Sequence, residues 1–303
     1  MNRLFITGGS GLLALNWAVQ MRELYQVTLG LHKTPISLPG VSTKFVELSS
    51  REALTRFLVD LSPDLVVHTA GMTNVEACEL DSELAFQTNV VLAENIAACC
   101  AKLDIRFVHI STDHLFDGSS QMVTEEENVS TCNVYASTKA EAETRVRIQF
   151  PESLILRTNF YGWGPSYRQS FSDYIINALH EEAELTLFND VYYTPILIET
   201  LVSIAHELVE SGETGVFHIS GGERLSKYEF GKKLAKRFNL DSGLLIPSSI
   251  KERTELTKRP LDMSLSNHKV CQRLGRAVPS LDEQLSRLLQ QQSNQSFKQV
   301  QDL

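Results

Sequence analysis

The sequence predicts an α/β fold, a doubly wound parallel sheet in the first half of the chain with a smaller region after it. Three observations carry this prediction. Short apolar runs alternate with helical patterns from the N-terminus to about residue 163. A glycine-rich turn, Gly8-Gly9-Ser10-Gly11, joins the first run to the first helical stretch. From about residue 164 the alternation loosens, and helical patterns are separated by only short strands. Strands that alternate with helices pair in parallel through right-handed crossovers, so the order of elements fixes the type of sheet.

Taken in order, strands are expected at residues 3–7, 26–31, 44–48, 64–69, 106–111 and 154–157, each a run apolar enough to be buried on both faces. Helices are expected between them at residues 12–24, 51–61, 82–103 and 134–150, where apolar residues recur with helical spacing. Beyond them, helical patterns at 171–181, 197–210, 227–238 and 280–291 and a strand at 216–219 form a smaller region, with some segments returning to the main sheet. The chain thus divides into a nucleotide-binding domain at 1–163, a mainly substrate-binding region at 164–289, and a tail at 290–303. That tail is rich in Gln, Asn and Ser and is expected to be flexible.

Composition narrows the function classes. A net charge of −9 argues against a nucleic-acid partner, which would favour a basic face. Five cysteines without framework spacing point to a reducing compartment, and the expected location is cytoplasmic. Cys99-Cys100 lies in an apolar helical stretch and reads as packing rather than redox chemistry. The N-terminal run lacks a basic segment and a cleavage site, and no stretch is expected to span a membrane. No metal-ligand spacing is present, so no metal is expected.

Ligands of doubly wound sheets lie beyond the carboxyl ends of the strands. The glycine turn, residues 68–72, residues 111–113 and residues 158–162 all follow expected strands and should converge on one crevice. The run Gly9-Ser10-Gly11-Leu12-Leu13-Ala14 fits GxGxxA immediately after the first strand, the place where a backbone accommodates a pyrophosphate at a helix N-terminus. At the end of the second strand stand His32 and Lys33 with no carboxylate, which favours NADP(H) over NAD(H) unless both are merely solvated loop residues. His68 reads as packed or cofactor-adjacent, and Asn89 as a bridge between strand ends or a satisfied core asparagine. Tyr135 and Lys139 stand four apart and share one helix face. A cation there would favour the phenolate, lowering the tyrosine pKa and suiting it to proton transfer at a substrate oxygen. Thr112, just past a buried strand, could hydrogen-bond a substrate carbonyl.

These residues together resemble the extended short-chain dehydrogenase/reductases, and within them the dTDP-4-dehydrorhamnose reductases. The resemblance rests on residues 7–14 and 70–79, on Ser111-Thr112-Asp113-His114-Leu115-Phe116-Asp117-Gly118, on Asn133-Val134-Tyr135-Ala136-Ser137-Thr138-Lys139, on Arg157-Thr158-Asn159-Phe160-Tyr161-Gly162 and on Arg259-Pro260. It implies a Rossmann-type fold, a Thr112/Tyr135/Lys139 triad, and Gly8, Ser10, Gly11, Leu12 and Leu13 around the cofactor pyrophosphate. Ala70, Gly71, Met72, Asn89, Ser111 and Asn159 would border the cofactor. Thr73, Asn74, His114, Tyr193 and Arg259 would face a nucleotide-diphosphate sugar, with Arg259 on the phosphates. A homodimer is compatible with it. The chain departs from the family pattern at His114 (usually Tyr), at Ala136 (usually Gly), and in Asp190-Val191-Tyr192-Tyr193-Thr194-Pro195, whose tyrosines either reshape a sugar pocket or fill core. Two further readings share the fold: an epimerase or a reductase with another substrate, and an NADP-binding regulatory subunit like that of methionine adenosyltransferase, which resembles the same family.

Overall fold

A computed structural model describes the backbone of residues 1–303 and every side chain except that of Ser296. The strands in chain order are β1 (Asn2–Thr7), β2 (Tyr25–Leu31), β3 (Ser42–Phe45), β4 (Leu65–His68), β5 (Arg106–Ile110), β6 (Leu154–Arg157), β7 (Phe160–Tyr161), β8 (Leu185–Phe188), β9 (Tyr192–Tyr193), β10 (Ile196–Leu197), β11 (Gly215–His218), β12 (Leu225–Ser226) and β13 (Leu245–Ser248). The helices are α1 (Leu12–Met21), α2 (Arg51–Leu61), α3 (Val75–Leu80), α4 (Ser82–Phe86), α5 (Leu92–Leu103), α6 (Val134–Gln149), α7 (Phe171–His180), α8 (Ile198–Glu210), α9 (Lys227–Phe238), α10 (His268–Leu274), α11 (Leu281–Gln292) and α12 (Gln295–Gln301).

Seven parallel strands form the main sheet in the order β11-β6-β5-β4-β1-β2-β3. The order reverses between β1 and β4, which opens the crevice above their carboxyl ends. Helices α1 and α8, with Val270 of α10 and Val300 of α12, cover one face through Trp17, Leu201 and Leu208. Helices α2, α5 and α6 cover the other through Leu54, Leu58, Ile96 and Val146. This is the expected fold class. The later strand β11 and the helix α8 before it complete the main sheet and its cover, so the returning segments are these.

A second core lies in the C-terminal region, where α7, α9 and α11 pack with β8 and β13 around Phe230, Ile175 and Leu285. Phe230 sits among Tyr161, Phe171 and Tyr193, with ring centroids 5.1, 5.9 and 6.0 Å away.

Three local expectations change. The tail is helical rather than flexible: Val300 is fully buried in the main core and Arg22 Nη1 donates to Gln299 Oε1 at 2.8 Å. A polar composition hid the spaced anchors Phe297, Val300 and Leu303, which suffice to dock a helix once a core is there. The helix expected at 82–103 is three pieces, α4, a π-helical turn at Gln87–Val91, and α5. By length and apolarity alone this run passes for a membrane span, with mean hydropathy 1.3, against the expectation above. It is half buried inside the protein, and Ala93, Ile96, Ala97 and Cys100 of α5 belong to the core under the sheet.

Candidate active site

The crevice at the switch point is a cavity of about 660 Å³ lined by residues from both halves of the chain. Its floor is the glycine turn. Gly8 has φ +68°, and a Cβ there would stand 2.9 Å from the backbone of Ala70, so only glycine lets the β1 and β4 ends close up. Gly11 is the N-cap of α1 and supplies no side-chain cap. By contrast α2, α6, α7, α9 and α11 are capped by Ser50, Asn133, Ser170, Ser226 and Ser280. The first turn of α1 is thus left without side-chain caps and lines the cavity at Leu12 and Leu13, the arrangement that accepts an anion such as a pyrophosphate. Gly8, Ser10, Gly11, Leu12, Leu13, Ala70, Gly71, Asn89, Ser111 and Asn159 all line this cavity. The loop and its uncapped helix fit a dinucleotide.

At the adenosine end His32 lines the cavity but Lys33 does not. Glu47 and Ser49 do, and the Glu47 carboxylate accepts from the Ser49 amide and hydroxyl at 2.9 and 2.7 Å, which holds its pKa down. Sequence patterning missed Glu47 because it follows the short edge strand β3, outside the segment where a ribose-binding acid is sought.

Asn89 lies on the π-helical turn and is fully buried. Its Oδ1 accepts from the Met72 amide at 2.7 Å, and its Nδ2 donates to the Met72 carbonyl at 3.0 Å and to Thr138 Oγ1 at 3.0 Å. It therefore ties the loop after β4 to the helix that carries Tyr135. It sits on a π turn, a local geometry associated with functional sites. Met72 itself contributes backbone to this clamp rather than a cavity wall.

Thr112, Tyr135 and Lys139 come together in the cavity from the end of β5 and from α6. Helix α6 starts at Asn133, whose Oδ1 accepts from the Ala136 amide at 2.8 Å, and this cap fixes the position of Tyr135 two residues on. Burial raises the Tyr135 pKa, a Thr112 hydrogen bond lowers it, and the Asp113 carboxylate raises it again. The phenol is thus above its usual range, contrary to the expectation that Lys139 alone would depress it. Lys139 is turned the other way: its Nζ donates to the Ile110 carbonyl at 2.7 Å and lies 3.4 Å from His109 Nε2. Burial lowers its pKa to about 8, with Glu143 opposing. Glu143 is itself clamped in the interior by Arg157 at 2.8 Å.

A family model described as RmlD substrate binding domain matches residues 1–294. The chain belongs to this family. It lies within the short-chain dehydrogenase/reductase superfamily, as the motifs implied. A probable low-salt glycan biosynthesis reductase of Haloferax volcanii is 28% identical over 288 residues, covering 94% of this chain and 96% of the relative. A dTDP-4-dehydrorhamnose reductase of Sinorhizobium fredii is 27% identical, with 95% and 96% covered. The methionine adenosyltransferase 2 subunit beta of Rattus norvegicus is 28% identical, with 81% of this chain and 75% of that one covered. The crystal structure of a Bacillus anthracis dTDP-4-dehydrorhamnose reductase in complex with NADP superposes with a TM-score of 0.84 at 23% identity, covering 96% and 100%.

On the substrate side of this RmlD-type crevice the expected residues separate. Thr73 and His114 line the cavity. The His114 ring meets Tyr135 edge-on at 5.5 Å, and burial holds its pKa down. Asn74 does not face inward: it is the N-cap of α3, accepting from the Ala77 amide at 2.8 Å. Tyr193 is outside the lining and fills the second core against Phe230, because β9 turns it inward. Arg259 is also off the lining and pairs with Glu76 of α3 at 2.5 Å. Three groups escaped the sequence reading. Asp113 is buried and accepts from Asn159 Nδ2 at 2.6 Å. Arg168 Nη2 donates to Thr73 Oγ1 at 2.9 Å across the crevice. Lys227 Nζ stands 3.3 Å from the Tyr193 ring centroid, and burial lowers it to about 8 while Asp113 opposes. No motif marks Arg168 or Lys227, and although Asp113 stands in the Ser111–Gly118 run, its contact with Asn159 joins segments far apart in sequence.

Proposed function

We propose that this oxidoreductase reduces the carbonyl of a nucleotide-linked 4-keto-6-deoxysugar, in the manner of a dTDP-4-dehydrorhamnose reductase. The observation that carries the reading is the meeting of Thr112, Tyr135 and Lys139 with the glycine turn in one cavity. Residues 8–13 would hold the cofactor pyrophosphate, and Lys139 the ribose beside the nicotinamide. When bound, the nicotinamide would supply hydride to the carbonyl carbon. Tyr135 gives its proton to the carbonyl oxygen, and its raised pKa keeps that proton in place at neutral pH. Thr112 orients the same oxygen. Lys139, with a pKa of about 8, is largely cationic at neutral pH and favours the phenolate that remains. Arg259, released from Glu76, would take a phosphate oxygen of the substrate. NADPH is the proposed cofactor on account of His32, with Glu47 the residue that would favour NADH instead.

The test is NADPH and NADH oxidation by the purified protein against dTDP-4-dehydrorhamnose and other nucleotide 4-keto sugars, beside Tyr135→Phe. Turnover with one of them, lost in the variant, is expected. Tight NADPH binding without turnover on any sugar overturns the reading. It would favour a regulatory role, for which the similarity to the rat adenosyltransferase subunit is the supporting observation.

A further inference from the structure

Across the centre of the sheet, Thr7 of β1, His68 of β4 and His109 of β5 occupy one register row, Thr7 opposite His68 and His68 opposite His109. Their side chains share a face and form a continuous polar line inside the protein. Thr7 Oγ1 lies 2.8 Å from His68 Nδ1, the two imidazoles stack at 5.5 Å and 19°, and His109 Nε2 lies 3.4 Å from Lys139 Nζ. All three row residues are 1% exposed or less.

The hydrogen bonds fix both tautomers. Thr7 Oγ1 already accepts the Thr69 and Ala70 amides at 3.2 and 3.3 Å, which leaves its own hydrogen for His68 Nδ1. His68 therefore carries its proton on Nε2. An ammonium has only donors, so His109 Nε2 must accept from Lys139 and its proton sits on Nδ1. Those two protonated nitrogens, His68 Nε2 and His109 Nδ1, are buried without partners. An apolar pair would fill the same space without that desolvation cost. A purely packing role does not account for two imidazoles here.

We propose that His109 is a positioning residue for the catalytic lysine: as a neutral acceptor backed by His68 and Thr7, it holds the Lys139 ammonium in place and keeps it charged in a buried site. The titratable groups that interact with Lys139 are His68 from β4, His109 from β5 and Glu143 from its own helix, which also carries Tyr135 one turn before it. Glu143, itself paired with Arg157, also favours the charged lysine, and the acceptors within hydrogen-bond reach of the ammonium are the Ile110 carbonyl and His109 Nε2. The consequence for turnover rests on the reductase reading above. The lysine titration itself does not.

The experiment is an NMR titration of the free protein labelled at lysine Cε with carbon-13, with the Lys139 signal assigned through Lys139→Arg. A hydrogen bond to a charged group contributes about 1.5–3 kcal/mol, equivalent to a pKa shift of about one unit or more. His109→Phe is expected to lower the Lys139 midpoint by about one pH unit, and His109→Gln, which keeps an acceptor, to restore most of it. His109→Leu replaces the phenylalanine variant should that one not fold. A Lys139 midpoint that is the same in wild type and in the folded apolar variant overturns the proposal, whatever the protein does to sugars. In active enzyme the same shift appears in the pH profile of kcat, with the KM for the sugar nucleotide little changed.

Discussion

The two halves of the crevice are built by different means. On the cofactor side the wall is largely backbone: a glycine turn that runs into an uncapped helix end, with the small residues after β4 packed beside it. On the substrate side the wall is side chains, with His114, Asn159, Thr73 and Arg168 delivered by four segments and tied by contacts such as Arg168–Thr73 and Asn159–Asp113. A ligand that is chemically constant can be met by backbone, which no ordinary substitution removes. One that varies between relatives is met by side chains, which substitution readily changes. The departure at His114 falls on this lining, whereas Tyr193 fills the second core.

Tests that break or sharpen this contrast follow in order of expected size. Tyr135→Phe stands where the halves meet; it should lower kcat by about 10²–10⁴-fold, the span of one general acid. NADPH affinity and melting temperature should stay near wild type, as measured by fluorescence titration and calorimetry. Asn89→Leu strands the buried Met72 amide and carbonyl, and should destabilise the protein by about 2–4 kcal/mol in denaturant unfolding. Equal stability of that variant would mean that water replaces the clamp.

Acid comes third. His68 and His218 are lowered to about 3 and His206 to about 4, in each case chiefly by burial. Between those values and the unfolded value of about 6.5, the unfolded chain binds more protons. Stability is therefore full above pH 6.5 and falls as pH drops below it, by about 1.4 kcal/mol per pH unit for each histidine once the slope is fully developed. A melting temperature flat from pH 7 to 5 would contradict this. The smallest effect is Arg259→Ala. Its pair with Glu76 is partly exposed, so stability should change by less than about 1 kcal/mol. The KM of a nucleotide sugar should nonetheless rise about tenfold, the equivalent of 1.4 kcal/mol, without change in NADPH affinity. A matching loss of cofactor affinity would mean that the two halves are not separable.

What could be read from the sequence follows the same division. Gly8–Leu13 and the Tyr135/Lys139 spacing were legible because a turn and a helix are local, and their chemistry depends on neighbours a few residues away. Asn74 and Tyr193 were misplaced because the same residue type serves as a helix cap or core filler, and only packing chooses. Lys33 was assigned with His32 by adjacency, but only His32 lines the cavity, together with Glu47, which follows β3. The direction of the Tyr135 shift was also beyond reach, since it depends on how much water the folded crevice excludes.

The sequence by itself determined the parallel sheet, the glycine turn after its first strand and the placing of Tyr135 and Lys139 on one helix, because alternation, glycine and a four-residue spacing act over short range. Only the tertiary structure decided which polar residues meet. The row Thr7–His68–His109 exists because three strands far apart in sequence pair in one register, and a shift of one residue would turn each side chain to the opposite face.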